Sequence, residues 1–349
     1  MQRTHRLLAL DGVRIHAVEQ GEGPLVVLIH GFPESWYSWR HQLTALAEAG
    51  YKAVAIDQRG YGQSSKFRDN NAYRIHPLVD DIRKVIDHYG VKSAVVIGHD
   101  WGAPVAWTFA WLHPERCRGV IGISVPFADR ALIGLPGNPW GTVRPAEYHK
   151  VVTGPGRVFY QDYFGEQTAV IAEIESDLRG WLRSIYYTVS GEGVGELVAA
   201  AAAAGAPPMS PLETLRHGPL CMPEGARLKD AFLNPRTLPA WLSEADLDFY
   251  VAEFERSGFG GPLAYYHNVD NDWADLASQA GKPLTPPSYF IGSDFDVGTQ
   301  WGMENVEQAA QHMADYRGTH LFAGVGHWIQ QERPAETNRL LLQFLRSLC

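Results

Sequence analysis

Apolar positions in this chain fall into two regimes that alternate. Leu25 to Ile29, Ala53 to Ile56, Ala94 to Ile97 and Arg118 to Ser124 hold short apolar, largely β-branched runs, as expected of strands covered on both faces. Val13 to Gln20 alternates more loosely and predicts an earlier strand, closed by Gly21-Glu22-Gly23-Pro24. Between these runs lie stretches of helical period: one reaching Ala49, one over about His76 to Tyr89, and one after Trp101 that ends near His113-Pro114. Strands alternating with helices in this way predict an α/β architecture, a mostly parallel sheet flanked by helices.

From Pro126 to about Thr285 the alternation stops. Aromatics, prolines and helical patches replace it, among them Asp177 to Leu182 and Ser243 to Phe254, where Ser243 and Asp246 suit a helix start. Ala199 to Ala204, followed by Gly205-Ala206-Pro207-Pro208, reads as a helix end and surface loop. The alternation resumes at Ser288-Tyr289-Phe290-Ile291, with a helical patch over Val306 to Met313, a strand at His320 to Phe322 and a final helix from Pro334 to Leu348. The expected organisation is a core in two pieces, 1–125 and 286–349, with a mostly helical insertion at 126–285. An insertion over the carboxyl ends of the strands would form a lid on the site.

Composition narrows the class without changing this picture. The 349 residues are 45% hydrophobic and 20% charged, ordinary for a globular protein, and the net charge of −9 argues against a nucleic-acid partner. Cys117, Cys221 and Cys349 are too scattered for a disulfide framework or a zinc site, so no metal is expected. Leu7 to Leu10 is cut off by Asp11, too short for a signal-peptide core, and no run approaches a membrane span. Cys349 is not placed for prenylation. A cytoplasmic location, as a monomer or homodimer, is the expectation.

Candidate chemistry centres on Gly98-His99-Asp100-Trp101-Gly102, between a buried strand and a helix. That is the layout of a nucleophile elbow with aspartate in place of serine, its glycines admitting a turn too tight for a Cβ. Asp in a turn often only bonds its own backbone, so the reading depends on partners elsewhere. In such folds the order is nucleophile, acid, histidine. Gly292-Ser293-Asp294-Phe295-Asp296 supplies two candidate acids after one late strand, and Gly324-Val325-Gly326-His327-Trp328 a histidine after the next.

With these segments in view, the chain resembles the epoxide hydrolases of the α/β-hydrolase fold. The resemblance rests on the elbow, on His30-Gly31-Phe32-Pro33-Glu34-Ser35-Trp36-Tyr37-Ser38-Trp39-Arg40 and on Asp57-Gln58-Arg59-Gly60-Tyr61-Gly62. It implies Asp100 as nucleophile, His327 as general base and Asp296 as the acid that orients it, with Asp294 the alternative. Two tyrosines from the insertion would activate the epoxide oxygen: Tyr160 in Phe159-Tyr160-Gln161-Asp162-Tyr163-Phe164, and Tyr266 after Tyr265. Tyr163 and Tyr265 are near neighbours that compete for these roles. The backbone N–H groups of Phe32 and Trp101 would form the oxyanion hole. The implied substrates are a small lipophilic epoxide and water, with no cofactor.

An epoxide suits these residues. An Asp carboxylate is ionised at neutral pH and needs no base to attack a strained carbon, whereas the departing oxygen needs a proton donor. The nearest alternative is a haloalkane-type dehalogenase, which would want a second side-chain halide donor where Phe32 stands. A haloacid enzyme would carry arginine where Trp101 follows the nucleophile. A non-catalytic ligand-binding member of the fold is the third reading.

Overall fold

The computed structural model describes residues 2–207 and 209–348; Pro208 of the low-complexity stretch and the terminal Cys349 lie outside the described residues. Eight strands form the main sheet: β1 (Thr4–Leu10), β2 (Val13–Gln20), β3 (Leu25–Ile29), β4 (Lys52–Ile56), β5 (Ala94–His99), β6 (Cys117–Ile123), and, after a two-stranded ribbon of β7 (Arg157–Phe159) and β8 (Cys221–Pro223), β9 (Ser288–Ser293) and β10 (Tyr316–Phe322). The sheet order is β1-β2-β4-β3-β5-β6-β9-β10. β1 pairs antiparallel to β2 and β2 to β4; every other neighbour is parallel.

All residues of β3 and β5 are buried, because helices cover both faces of the sheet. One of them, Ile75–His88, shows how the pattern works. Ile75, Leu78, Val79, Ile82, Val85 and Ile86 face the core, while Arg83 pairs with Asp80 at 2.6 Å and Asp87 at 2.7 Å on the outer side. The helix Gly102–Leu112 behind the elbow is buried except at Leu112, so it has no polar face to read.

The insertion is mostly helical, and two of its helices lie where the sequence shows helical patches, one of them with the start read at Ser243 and Asp246. Asp177 caps the helix Leu178–Thr188, and Ser243 and Asp246 form a reciprocal capping box at the helix Glu244–Ser257. The poly-alanine run ends the helix Gly191–Ala203.

Three features depart from expectation. Leu7 to Leu10 belongs to β1, whose outward side chains are largely exposed because it is an edge strand, so its pattern is faint. The β7–β8 ribbon spans three residues a side, too short to register as a period. β10 starts at Tyr316, four residues before the apolar run that revealed it.

A buried carboxyl ties the insertion to the core. Asp272 is fully buried; its Oδ1 accepts the N–H of Ile75 at 2.8 Å, and its Oδ2 has no partner among the described residues. Burial pushes its pKa up to about 8. A carboxyl whose folded pKa lies above the unfolded one costs stability as pH rises from the lower value through the higher. Asp272→Asn is therefore expected to leave the Tm nearly unchanged near pH ~4, where the wild-type group is already neutral, and to raise it by several degrees near pH ~9. Thermal melts across that range check this.

Candidate active site

Asp100 sits directly after β5 with φ of 50°, in the left-handed region that a side-chain-bearing residue adopts only under constraint. The constraint is visible in the glycines around it. A Cβ on Gly98 would lie 1.9 Å from the carbonyl of Gly102, one on Gly102 would lie 2.0 Å from that of Ile29, and one on Gly31 would meet the Asp100 side chain at 2.3 Å. The turn thus lifts the carboxylate above the sheet and against the loop after β3. There Asp100 Oδ1 accepts the N–H of Phe32 at 2.6 Å. The N–H of Trp101 opens the helix Gly102–Leu112, where first-turn donors lack helical acceptors.

His327 lies across from Asp100, its Nε2 3.5 Å from Asp100 Oδ2. Its Nδ1 meets Asp296 Oδ1 at 2.8 Å, with Ser124 Oγ at 3.1 Å beside it. Asp296 is fully buried and also accepts from Thr299 Oγ1 at 2.7 Å and from the N–H groups of Gly298 and Thr299. Burial works to raise its pKa, but His327 and these donors outweigh it and hold the group low. Asp294 instead accepts the N–H of Gly324 at 2.7 Å on the exposed side of the loop.

Burial disfavours the imidazolium of His327, yet the charge of Asp296 and the contact with Asp100 prevail and push its pKa well above the usual value. The ring thus stands between two carboxylates that favour its protonated form. Removing the charge of Asp100, as esterification would, takes away one support and makes the proton easier to release.

Apolar side chains complete the pocket: Phe32, Phe164, Ile185, Leu220, Val297 and Trp328 line it together with Asp100, His327, Tyr160 and Tyr266. The Tyr160 and Tyr266 rings stand 5.9 Å apart. Burial, then the charge of Asp100, push both phenols above their usual pKa, so they keep their protons at neutral pH. Gln161 Nε2 donates to Tyr160 Oη at 3.2 Å, which leaves the phenolic proton free. Their neighbours point elsewhere. Tyr163 Oη donates to Glu173 at 2.5 Å, and Tyr265 Oη donates to the carbonyl of Arg59 at 2.9 Å.

The two other motifs build the platform beneath. Buried His30 donates from Nδ1 to the carbonyl of Gly31 at 2.8 Å and accepts the N–H of Gln58 at Nε2, so its ring is neutral; burial lowers its pKa accordingly. Arg59 grips Asp81 through two contacts of 2.6 and 2.7 Å. Phe32 has a second task that its backbone role concealed. Its ring packs on Phe164 at 5.2 Å and Tyr266 at 5.4 Å, sealing the loop against the insertion.

Sequence reasoning missed a buried pair under His327. His99 Nδ1 meets Glu34 Oε2, and His99 Nε2 meets the carbonyl of His327, both at 2.8 Å. Two acceptors require both ring nitrogens to donate, so His99 is a cation paired with Glu34. Burial would raise the Glu34 pKa, but His99 and the nearby donors hold it at about 2. Glu34 also accepts the N–H of Gly31 at 2.7 Å, which links the Phe32 loop to the His327 loop. Both residues lay inside quoted motifs, but only folding brings them together.

An aspartate elbow, a buried His–Asp pair and an apolar pocket on a mostly parallel eight-stranded sheet define a hydrolase of the α/β-hydrolase fold, and the family model described as alpha/beta hydrolase fold matches residues 24–154. Full-length comparisons narrow the class. The chain is 64% identical to Epoxide hydrolase B of Mycobacterium tuberculosis, covering 100% of this chain and 99% of that protein. It is 38% identical to Epoxide hydrolase A of the same organism over 99% of this chain and 98% of that one. A solved epoxide hydrolase from an endophytic Streptomyces superposes with a TM-score of 0.88 at 45% identity, covering 99% of this chain and 96% of the other. The chain belongs to the epoxide hydrolases. No helix among the described residues is long and apolar enough to cross a membrane.

Proposed function

We propose that the chain hydrolyses a lipophilic epoxide to a vicinal diol through an ester on Asp100. The observation that carries this reading is one pocket holding a carboxylate, a His–Asp pair and two protonated phenols. Asp100 Oδ1 already occupies the N–H of Phe32, which leaves Oδ2 to attack a ring carbon. As that bond forms, the ring C–O bond breaks, and its electron pair goes to an oxygen held by Tyr160 and Tyr266, one of which passes it a proton. With Asp100 neutralised as an ester, His327 releases its proton to solvent; it then takes one from water, and the hydroxide attacks the ester carbonyl. The resulting oxyanion grows on the Oδ1 side, at the N–H groups of Phe32 and Trp101. Collapse releases the diol, which keeps the hydroxide's proton, and restores the carboxylate and the protonated His327; the proton that His327 gave to solvent earlier reaches the phenolate, closing the balance.

In this scheme residues 126–285 are the cap over a core of 1–125 and 286–349, and Tyr160 and Tyr266 are its contribution to the chemistry. The pocket's apolar lining suits a lipophilic substrate. Two phenols suit a nascent alkoxide better than a halide. Phe32 offers no side-chain donor, and the indole N–H of Trp328 is already given to the carbonyl of Tyr186 at 2.8 Å.

Tyr160→Phe or Tyr266→Phe is expected to slow ester formation by roughly 10²-fold, and the double substitution by considerably more, with ester hydrolysis much less affected. Rapid-quench measurement of the two steps checks this. Wild-type ester formation in the double variant would show that other groups activate the epoxide.

A further inference from the structure

A half-buried carboxylate that the scheme above does not use holds both sides of the base. Glu332 lies in the short helix Ile329–Glu332, directly after the His327 loop. Its Oε2 accepts the N–H of Gly326 at 3.0 Å, and its Oε1 accepts the N–H of Trp328 at 3.1 Å, so the residues before and after His327 are tied to one side chain. The same Oε2 accepts the N–H of Gly191 at 3.0 Å, the first residue of the insertion helix Gly191–Ala203. Between these contacts the N–H of His327 donates to the carbonyl of Val189 at 2.8 Å.

The two segments meet with no room to spare. A Cβ on Gly326 would lie 2.2 Å from the carbonyl carbon of Ser190, and one on Gly191 would lie 2.6 Å from the carbonyl of Gly324. Glycines at both points let the backbones touch, and Glu332 closes the contact from one side. Only a carboxylate can accept three N–H bonds here; an amide would turn its NH₂ toward donors. Burial pushes the Glu332 carboxyl up to about 7, and Glu192 adds to that, while the N–H groups of Gly326, Gly191 and Trp328 oppose it.

We propose that Glu332 is a positioning residue for His327: it clamps the loop carrying the base to the turn at 189–191, so that the insertion sets where the imidazole stands. The proposal rests on the reading of His327 as the base for ester hydrolysis. The imidazole must keep Nδ1 on Asp296 while Nε2 directs water at the ester, and a displacement near 1 Å at such a site costs up to about 10²-fold. Ester formation needs only Asp100 and the phenols, neither of which Glu332 touches.

The test is rapid-quench kinetics of the full-length protein with Glu332→Gln, which preserves volume, alongside Glu332→Ala and His327→Gln. In Glu332→Gln, ester hydrolysis is expected to fall about 10- to 100-fold while ester formation stays within about threefold, so ester accumulates. Adding Glu332→Gln to His327→Gln is expected to cost hydrolysis little further, since both act on one step through one group. Equal losses in both steps that follow a falling Tm would reduce Glu332 to a stability role and overturn the proposal, as would unchanged hydrolysis in Glu332→Gln. If Glu332→Ala fails to fold, the isosteric variant decides. Normal ester hydrolysis by His327→Gln would instead overturn the base assignment, whatever Glu332→Gln does.

Discussion

An Asp100→Ala protein should show no epoxide turnover above background, a loss of about 10⁴-fold or more, with its fold intact. The loss is expected to be this large because nothing else in the pocket can take over the attack. Asp100 is the one carboxylate lining the pocket among the described residues, and the two phenols keep their protons. Water would have to attack the ring carbon in its place. Stability should fare better than activity. The elbow's shape comes from Gly98, Gly102 and the buried strand before them, and Asp100 itself sits at a φ that costs energy. A melt within a few degrees of wild type, with no detectable diol, is the expected pair of results.

His327→Gln should produce the opposite kind of failure. The carboxylate and the phenols remain, so one equivalent of epoxide should react and then stop as an ester. Hydrolysis is expected to slow by roughly 10²- to 10⁴-fold, the contribution of a positioned general base. Intact-protein mass measurement should show one substrate added, and peptide mapping should place it on Asp100. In the wild type the same logic gives a pH dependence. Ester hydrolysis needs the neutral imidazole, so its rate should rise with pH as His327 gives up its proton. That release is easier in the ester, where the charge of Asp100 no longer supports the cation. Ester formation should lack this dependence over the same range.

How much of this the sequence disclosed follows from what each residue needs. β3 and β5 were legible because strands buried on both faces must be continuously apolar. The elbow was legible because its glycines answer to contacts near 2 Å that admit no Cβ. β1 was not, since an edge strand facing solvent has no apolar period to display. The choice of Tyr160 and Tyr266 over their neighbours came from resemblance alone. What separates them in space is where Glu173 and the carbonyl of Arg59 lie, a fact of folding rather than of spacing. Glu34 and His99 were each visible inside a motif, but a pair 65 residues apart in the chain has no local signature. Glu332 carried none either, since its partners are backbone N–H groups.

The central claim is that the oxygen delivered to the substrate comes from Asp100 and not directly from water. A single turnover in ¹⁸O-water with enzyme in excess tests it most directly. If Asp100 Oδ2 bonds to carbon and water attacks the ester carbonyl, the first diol carries an unlabelled new oxygen, and ¹⁸O appears in the Asp100 carboxylate. Diol fully labelled in that first turnover, with Asp100 unlabelled, would contradict the account.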